Sequence, residues 1–271
     1  MKDLKGKLAV VTGAASGIGL ATAHALAREG CDLCLVDLDG DGLEQARAEL
    51  GSSTGSIAAH ACDLSDKSAI DSLCRVLVAD RTPDILINNA GTLWYDPFEK
   101  MPIDEWSRVM SVNLDAPARL ISGLLPGMRQ ISCGHIVNIS SMLGLVPQRN
   151  MTAYCASKHG LVGMSLALRK ELSPKIGVSV ICPGLVRSNI LNTAKARGRT
   201  TTRRDFPKRL AASPDLVAKR VVKAIKGNKR LVIVTGHARL ARLAHFYVGW
   251  LLDLNQMKRN RRRQSEAPST S

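Results

Sequence analysis

The chain has 271 residues, 45% hydrophobic and 23% charged, the composition of one globular domain with a sizeable core rather than of a disordered or fibrous chain. A net charge of +15 favours anionic partners, but aromatic residues are only 3% and do not interleave with the basic runs, so a nucleic-acid stacking platform is not expected. Seven cysteines, with no leader-like segment before the first strand, fit reduced thiols and a cytoplasmic location, and no apolar run is long enough to cross a bilayer.

The first element is the apolar run Leu8-Ala9-Val10-Val11, which reads as a buried parallel strand. It leads into Thr12-Gly13-Ala14-Ala15-Ser16-Gly17-Ile18-Gly19 and then into an Ala-rich, helix-favouring stretch that Gly30 stops. Strand, glycine turn and helix form the arrangement in which backbone N–H groups hold a pyrophosphate. A second strand, Leu33-Cys34-Leu35-Val36, ends in Asp37, 18 residues past Gly19. An acid at that spacing suits the ribose hydroxyls of a dinucleotide and repels a 2′-phosphate. Neither Ser16 nor Leu38 supplies an offsetting cation, so NAD is expected over NADP. Cys31 and Cys34 have the spacing of half a metal site, but on a strand they face opposite sides and no second half follows; no metal is expected.

Further strands are expected at 85–87, 134–139, 178–182 and 231–234, separated by helix-like stretches; the alternation predicts a single-domain, doubly wound α/β fold with a parallel sheet. After the fifth strand comes Ser141, and then Tyr154-Cys155-Ala156-Ser157-Lys158. In a helix Tyr154 and Lys158 share a face, and an ammonium near a phenol favours its phenolate. A phenol moved towards neutral pH can transfer protons, and a serine hydroxyl can bind an oxygen that gains or loses charge. Cys155 reads as helix packing.

Taken together, these residues resemble the short-chain dehydrogenase/reductase superfamily over roughly residues 5 to 235. The resemblance implies a Rossmann fold and hydride transfer between NAD and a secondary alcohol or ketone. It implies cofactor contacts from Gly13, Ser16, Gly17, Ile18, Gly19 and Asp37, and from Asp63 and Leu64 after the third strand. Asn89, Ala90 and Gly91, in Asn88-Asn89-Ala90-Gly91, match its next motif; Pro183, Gly184, Val186 and Ser188 match the contacts after the sixth strand. The catalytic set implied is Ser141, Tyr154, Lys158 and Asn113, with Tyr154 and Lys158 also touching the cofactor; the 13-residue spacing to Tyr154 selects Ser141 over Ser140. Lys158 is expected to favour the Tyr154 phenolate, and Asn113 to hold a water linking Lys158 to solvent. Relatives suggest a homodimer or homotetramer.

The charge is uneven: residues 1–194 carry 18 basic and 19 acidic groups, residues 195–271 carry 20 and 4. Residues 1–235 are read as the dehydrogenase domain, with a substrate lid at about 187–212, and 258–271 as a basic, disordered tail. A helix after the lid is expected to bury Leu216, Val217, Val221, Val222 and Ile225 and to expose six cations between Lys219 and Arg230. Residues 236–257 read as an amphipathic helical extension with Leu240, Leu243, Tyr247, Leu251 and Leu254 at helical spacing. Two fates suit it equally: peripheral contact of 236–263 with an anionic membrane, or packing on protein. Leu93, Trp94, Leu143, Leu145, Val146, Leu185, Val186, Ile190 and Leu191 suggest an apolar pocket and a lipophilic substrate of sterol, retinoid or long-acyl type. Two alternatives remain: a 3-oxoacyl-thioester reductase, and a non-enzymatic, membrane-associated NAD sensor.

Overall fold

Each apolar run of the sequence forms a strand, with ends within two residues of those expected, in a computed structural model describing residues 1–51, 55–172, 174–187 and 211–247. The strands are β1 (Leu8–Thr12), β2 (Asp32–Asp37), β3 (Ile57–Ala61), β4 (Ile85–Asn88), β5 (Gly134–Ile139), β6 (Ile176–Cys182) and β7 (Leu231–Ile233). They form one sheet in the order β3-β2-β1-β4-β5-β6-β7, and all neighbours are parallel. The crossovers are α1 (Gly17–Arg28), α2 (Gly40–Leu50), α3 (Lys67–Asp80), α4 (Ile103–Met110), α5 (Ala116–Gln130), α6 (Thr152–Glu171) and α7 (Pro214–Lys226). This is a doubly wound Rossmann-type α/β fold. The chain winds outwards from β1 to β3 on one side and from β4 to β7 on the other, so a crevice opens at the carboxyl ends of β1 and β4.

Strand alternation divides the core. Ala9, Val11, Leu33, Leu35, Ile85 and Ile87 face α1 and α7, whereas Val10, Cys34, Val36, Leu86 and Ile136 face α3 and α5. Small residues on α1 (Ala21, Ala25) let it pack closely on Val217, Val221 and Ile225 of α7. Cys34 lies on β2 and Cys31 one residue before it, and the two fall in opposite layers. All seven thiols are free, and burial pushes both of these up to about 12, which leaves them inert. Leu216 corrects one expectation: it is 37% exposed, because the buried stripe of α7 runs through Val217, Val221, Ala224 and Ile225 and leaves position 216 on the solvent side.

A buried histidine sets a pH limit on the fold. His135 on β5 is fully buried, and its Nε2 lies 2.8 Å from the Ser179 hydroxyl, which itself donates to the Lys229 carbonyl. With that hydroxyl proton committed, Nε2–H is the donor of a neutral ring. Burial pushes His135 down to about 3. The folded pKa lies below the unfolded value, so the neutral ring's contribution is complete above about pH 6.5 and is lost as pH falls towards 3, at up to about 1.4 kcal/mol per pH unit. Urea unfolding of His135→Gln, which keeps a polar partner for Ser179, should therefore show a shallower loss of stability below pH 6 than the native chain. An unchanged acid slope would remove His135 from that loss.

Beyond β7 the chain forms a further helix, α8, described over residues 236–247. Ala238 is buried beneath it, while Leu240, Leu243, Phe246 and Tyr247 stand in solvent. The expected extension is thus helical as far as 247; the rest of it, the basic tail 258–271 and most of the lid lie outside the described residues. Among the described residues no helix is long and apolar enough to cross a membrane.

Candidate active site

The cleft at the switch point begins with backbone shape. Gly13 has φ of +66°, and a Cβ there would sit 2.8 Å from Asn89 Nδ2 and 2.9 Å from Ala90 Cα. A Cβ on Gly19 would run into the Gly13 carbonyl oxygen. The turn is therefore folded tightly on the end of β4. Asn89 fixes it there: its Nδ2 donates to the Thr12 and Gly13 carbonyls at 2.9 and 3.1 Å. The Thr12 hydroxyl accepts from Asn89 N and Ala90 N, both at 3.0 Å. Ser16 precedes α1 without a side-chain cap bond, which leaves first-turn N–H groups available to an anion.

Asp37 closes this end of the cleft. Its carboxylate accepts from Ala15 N at 3.0 Å and Asp39 N at 3.2 Å, so the acid is held against the glycine turn. Asp63 and Leu64, just past β3, line the same cleft; Asp63 Oδ1 accepts from the Ser65 N–H and hydroxyl. The cleft encloses about 310 Å³ and reaches from Asp37 and Leu38, past Gly13 and Gly17, to Gly91, Tyr154 and Lys158.

At its far end α6 presents Tyr154 and Lys158 to the cleft, both nearly fully buried. Of the two serines after β5, the Ser141 hydroxyl bonds the Tyr154 phenol and accepts from Leu143 N at 3.1 Å, whereas Ser140 lines the cleft but commits its hydroxyl to the Lys158 carbonyl at 2.9 Å. Lys158 Nζ donates to the Ile139 carbonyl at 3.0 Å and lies 5.8 Å from the Tyr154 ring centroid, over the ring face. That geometry corrects the expected electrostatics. Burial pushes Tyr154 up to about 12, with Ser141 pulling in the opposite direction, and pushes Lys158 down to about 8. An ammonium that faces the ring and is itself desolvated does not offset the burial of the phenol. The protein alone keeps the proton on Tyr154.

Asn113 sits in an irregular stretch of helix. It lies on a π-helical turn, Ser111–Asp115, spliced between α4 and α5. Its Oδ1 accepts from Thr92 N at 2.9 Å, and its Nδ2 donates to Thr92 O at 2.9 Å and Ser157 Oγ at 3.0 Å. Both amide protons are thus committed to structure, and Asn113 ties the loop after β4 to α6. A Cβ added to Gly91 would stand 3.2 Å from Asn113 Oδ1 and 3.5 Å from Lys158 Nζ, so only glycine leaves the room between them open.

Pro183 and Gly184 follow β6, and Val186 forms a bridge with Ala212 that ties together the two ends of the lid segment. Ser188, Ile190 and Leu191 lie outside the described residues. Three contributors escaped the sequence reading. Thr12 organises the glycine turn, and its place inside the Thr12–Gly19 motif was the available signal. Tyr95 and Met151 pack with Leu93 and Leu143 around Tyr154; nothing in their local pattern marks them.

The comparisons agree with this geometry. The profile of the short chain dehydrogenase family matches residues 7–198. The chain belongs to the short-chain dehydrogenase/reductase family. D-beta-hydroxybutyrate dehydrogenase of Rhizobium meliloti is 37% identical to this short-chain dehydrogenase over 204 residues, covering 72% of this chain and 79% of that one. Fatty acyl-CoA reductase of Acinetobacter baylyi is 34% identical over 251 residues, 90% of this chain and 81% of the relative. A short-chain dehydrogenase/reductase from Burkholderia phymatum solved with NAD superposes with a TM-score of 0.81 at 26% identity, covering 93% and 97% of the two chains. Other solved relatives hold NADP or NADPH. As a member of this family, the short-chain dehydrogenase is an oxidoreductase that acts on hydroxyl or keto groups with NAD or NADP.

Proposed function

We propose that the chain transfers hydride between NAD and a lipophilic secondary alcohol or ketone. The observation that carries this reading is the meeting of Tyr154, with Ser141 hydrogen-bonded to it, and Lys158 in the same cleft as the glycine turn and Asp37. Gly13, Ser16, Gly17, Ile18 and Gly19 would hold the pyrophosphate, Asp37 the adenosine ribose, Asp63 and Leu64 the adenine end, and Asn89, Ala90, Gly91 and Lys158 the nicotinamide end. Pro183, Gly184 and Val186 would border the nicotinamide. NAD, when bound, would supply the hydride acceptor or donor and, in its oxidised form, positive charge at the nicotinamide end.

The protein's own part is positioning and proton transfer. Ser141 donates its single hydroxyl proton to the substrate oxygen as charge develops there, while its oxygen accepts from Leu143 N. Tyr154 takes the hydroxyl proton in oxidation and returns it in reduction. Its pKa of about 12 in the bare protein makes it a secure acid for ketone reduction; as a base it needs further positive charge in the cleft. Lys158, bonded to the Ile139 carbonyl, stands over the phenol ring and lines the cofactor cleft, and Asn113 acts as a positioning residue by holding the loop after β4 against α6.

Asp37 supports the NAD preference: its carboxylate, held against the glycine turn, would repel a 2′-phosphate, and Ser16 and Leu38 offer that phosphate no cation. Asp37→Ala should raise the ratio of NADP to NAD efficiency about tenfold to hundredfold, the removal of one like-charge contact. An enzyme that already prefers NADP would refute the assignment. A lipophilic substrate is favoured by the walls around the phenol, where Leu93, Tyr95, Leu143 and Met151 are packed. The similarity to a fatty acyl-CoA reductase points the same way. Initial rates with NAD over secondary alcohols of increasing chain length test this; kcat/KM should rise with apolar length, and a preference for short, polar alcohols would contradict it.

A further inference from the structure

Helix α8 carries the strongest feature the dehydrogenase reading does not use. Leu240, Leu243, Phe246 and Tyr247 are 54–80% exposed on α8. Beside them lies a second cleft of about 360 Å³ between α7, β7 and α8, where Arg220, Lys223, Lys229, Arg239 and Arg242 surround a floor of β7 side chains. No acidic residue occurs between Asp215 and Asp253, a stretch holding eight lysines and arginines. Among the described residues these five cations make no ion pair with a carboxylate.

The geometry points to α8 and its basic cleft as a docking surface for an anionic phospholipid bilayer. Charge decides among occupants. A second copy meeting this face would bring like charges together with no carboxylate to relieve them. A soluble anion would fill the cleft but leave four large apolar side chains in water. A bilayer surface with anionic headgroups satisfies both halves: phosphates meet the cations while Leu240, Leu243, Phe246 and Tyr247 enter the acyl boundary. The helix is seated on the catalytic domain, since Thr235 and His237 at its start fill the space beside Gly184. This inference is independent of the substrate and cofactor proposed above.

Flotation of the full-length protein with vesicles tests it. Vesicles of mixed phosphatidylglycerol and phosphatidylcholine should bind at least tenfold more tightly than phosphatidylcholine alone, and added salt should weaken the binding. Arg239→Glu with Arg242→Glu, and separately Leu243→Ser with Phe246→Ser, should each weaken it at least tenfold while NAD affinity, read by fluorescence, stays unchanged. Equal binding to both vesicle types would overturn the proposal. So would binding that the charge variants abolish and the apolar variants leave intact, which would assign the cleft to soluble anions. Loss of self-association in the apolar variants, with no vesicle binding by the native chain, would assign the face to a second copy.

Discussion

Tyr154→Phe should lower kcat by about three to four orders of magnitude, the size of effect expected when a positioned acid/base group is removed. NAD affinity should change less than threefold, because the ring remains to pack on Leu93, Met151 and Cys155 and to face the Lys158 ammonium. The substitution removes one oxygen from a buried site and leaves Ser141 with one hydrogen-bond partner fewer. A small loss of stability, about 1 kcal/mol, follows from that single bond. Steady-state kinetics with titration of NAD separate these outcomes. A variant with native turnover would place proton transfer elsewhere. One that lost NAD binding as well would mean that the phenol serves the cofactor rather than the reaction.

The second large effect is expected at Gly19. A methyl group there has nowhere to go, since the obstacle is the Gly13 carbonyl and not a flexible side chain. Gly19→Ala must push the turn away from β4 and from the grip of Asn89. Overpacking of this kind costs about 1–3 kcal/mol, so NAD affinity should fall roughly tenfold to hundredfold. Calorimetric titration with NAD measures it. Gly163→Ala on α6, where an added Cβ meets nothing within 4 Å, is the matched control and should bind NAD as the native chain does. Native affinity in Gly19→Ala would show that the turn does not cradle the dinucleotide.

Much of the architecture was readable because parallel strands buried on both faces are continuous apolar runs. Leu8 to Val11 and Gly134 to Ile139 needed no tertiary information to be recognised. The glycine turn and the Tyr154–Lys158 pair were equally legible, since their function requires residue types at set spacing. The electrostatics were not. Spacing placed Lys158 beside Tyr154, but whether the ammonium faced the hydroxyl or the ring, and how deeply both were buried, depends on packing from β5 and the loop after β4. The π turn at Asn113 was hidden for a similar reason: it is a one-residue irregularity enforced by bonds to Thr92 and Ser157 from other elements. Leu216 was misplaced because one helical step separates it from a buried stripe whose edge only the contact with α1 defines. The fate of α8 was undecidable from periodicity alone, which reports an apolar face but not what lies against it.

The central claim is that this cleft moves hydride with Tyr154 as its proton partner. It is tested most directly by isotope transfer from lipophilic secondary alcohols deuterated at the carbinol carbon. The native protein with NAD should deliver deuterium into the reduced dinucleotide, detected by mass spectrometry, and Tyr154→Phe should deliver essentially none while still holding NAD. Deuterium transfer at the native rate by Tyr154→Phe would contradict the account, as would its absence in the native protein across the whole series despite bound NAD.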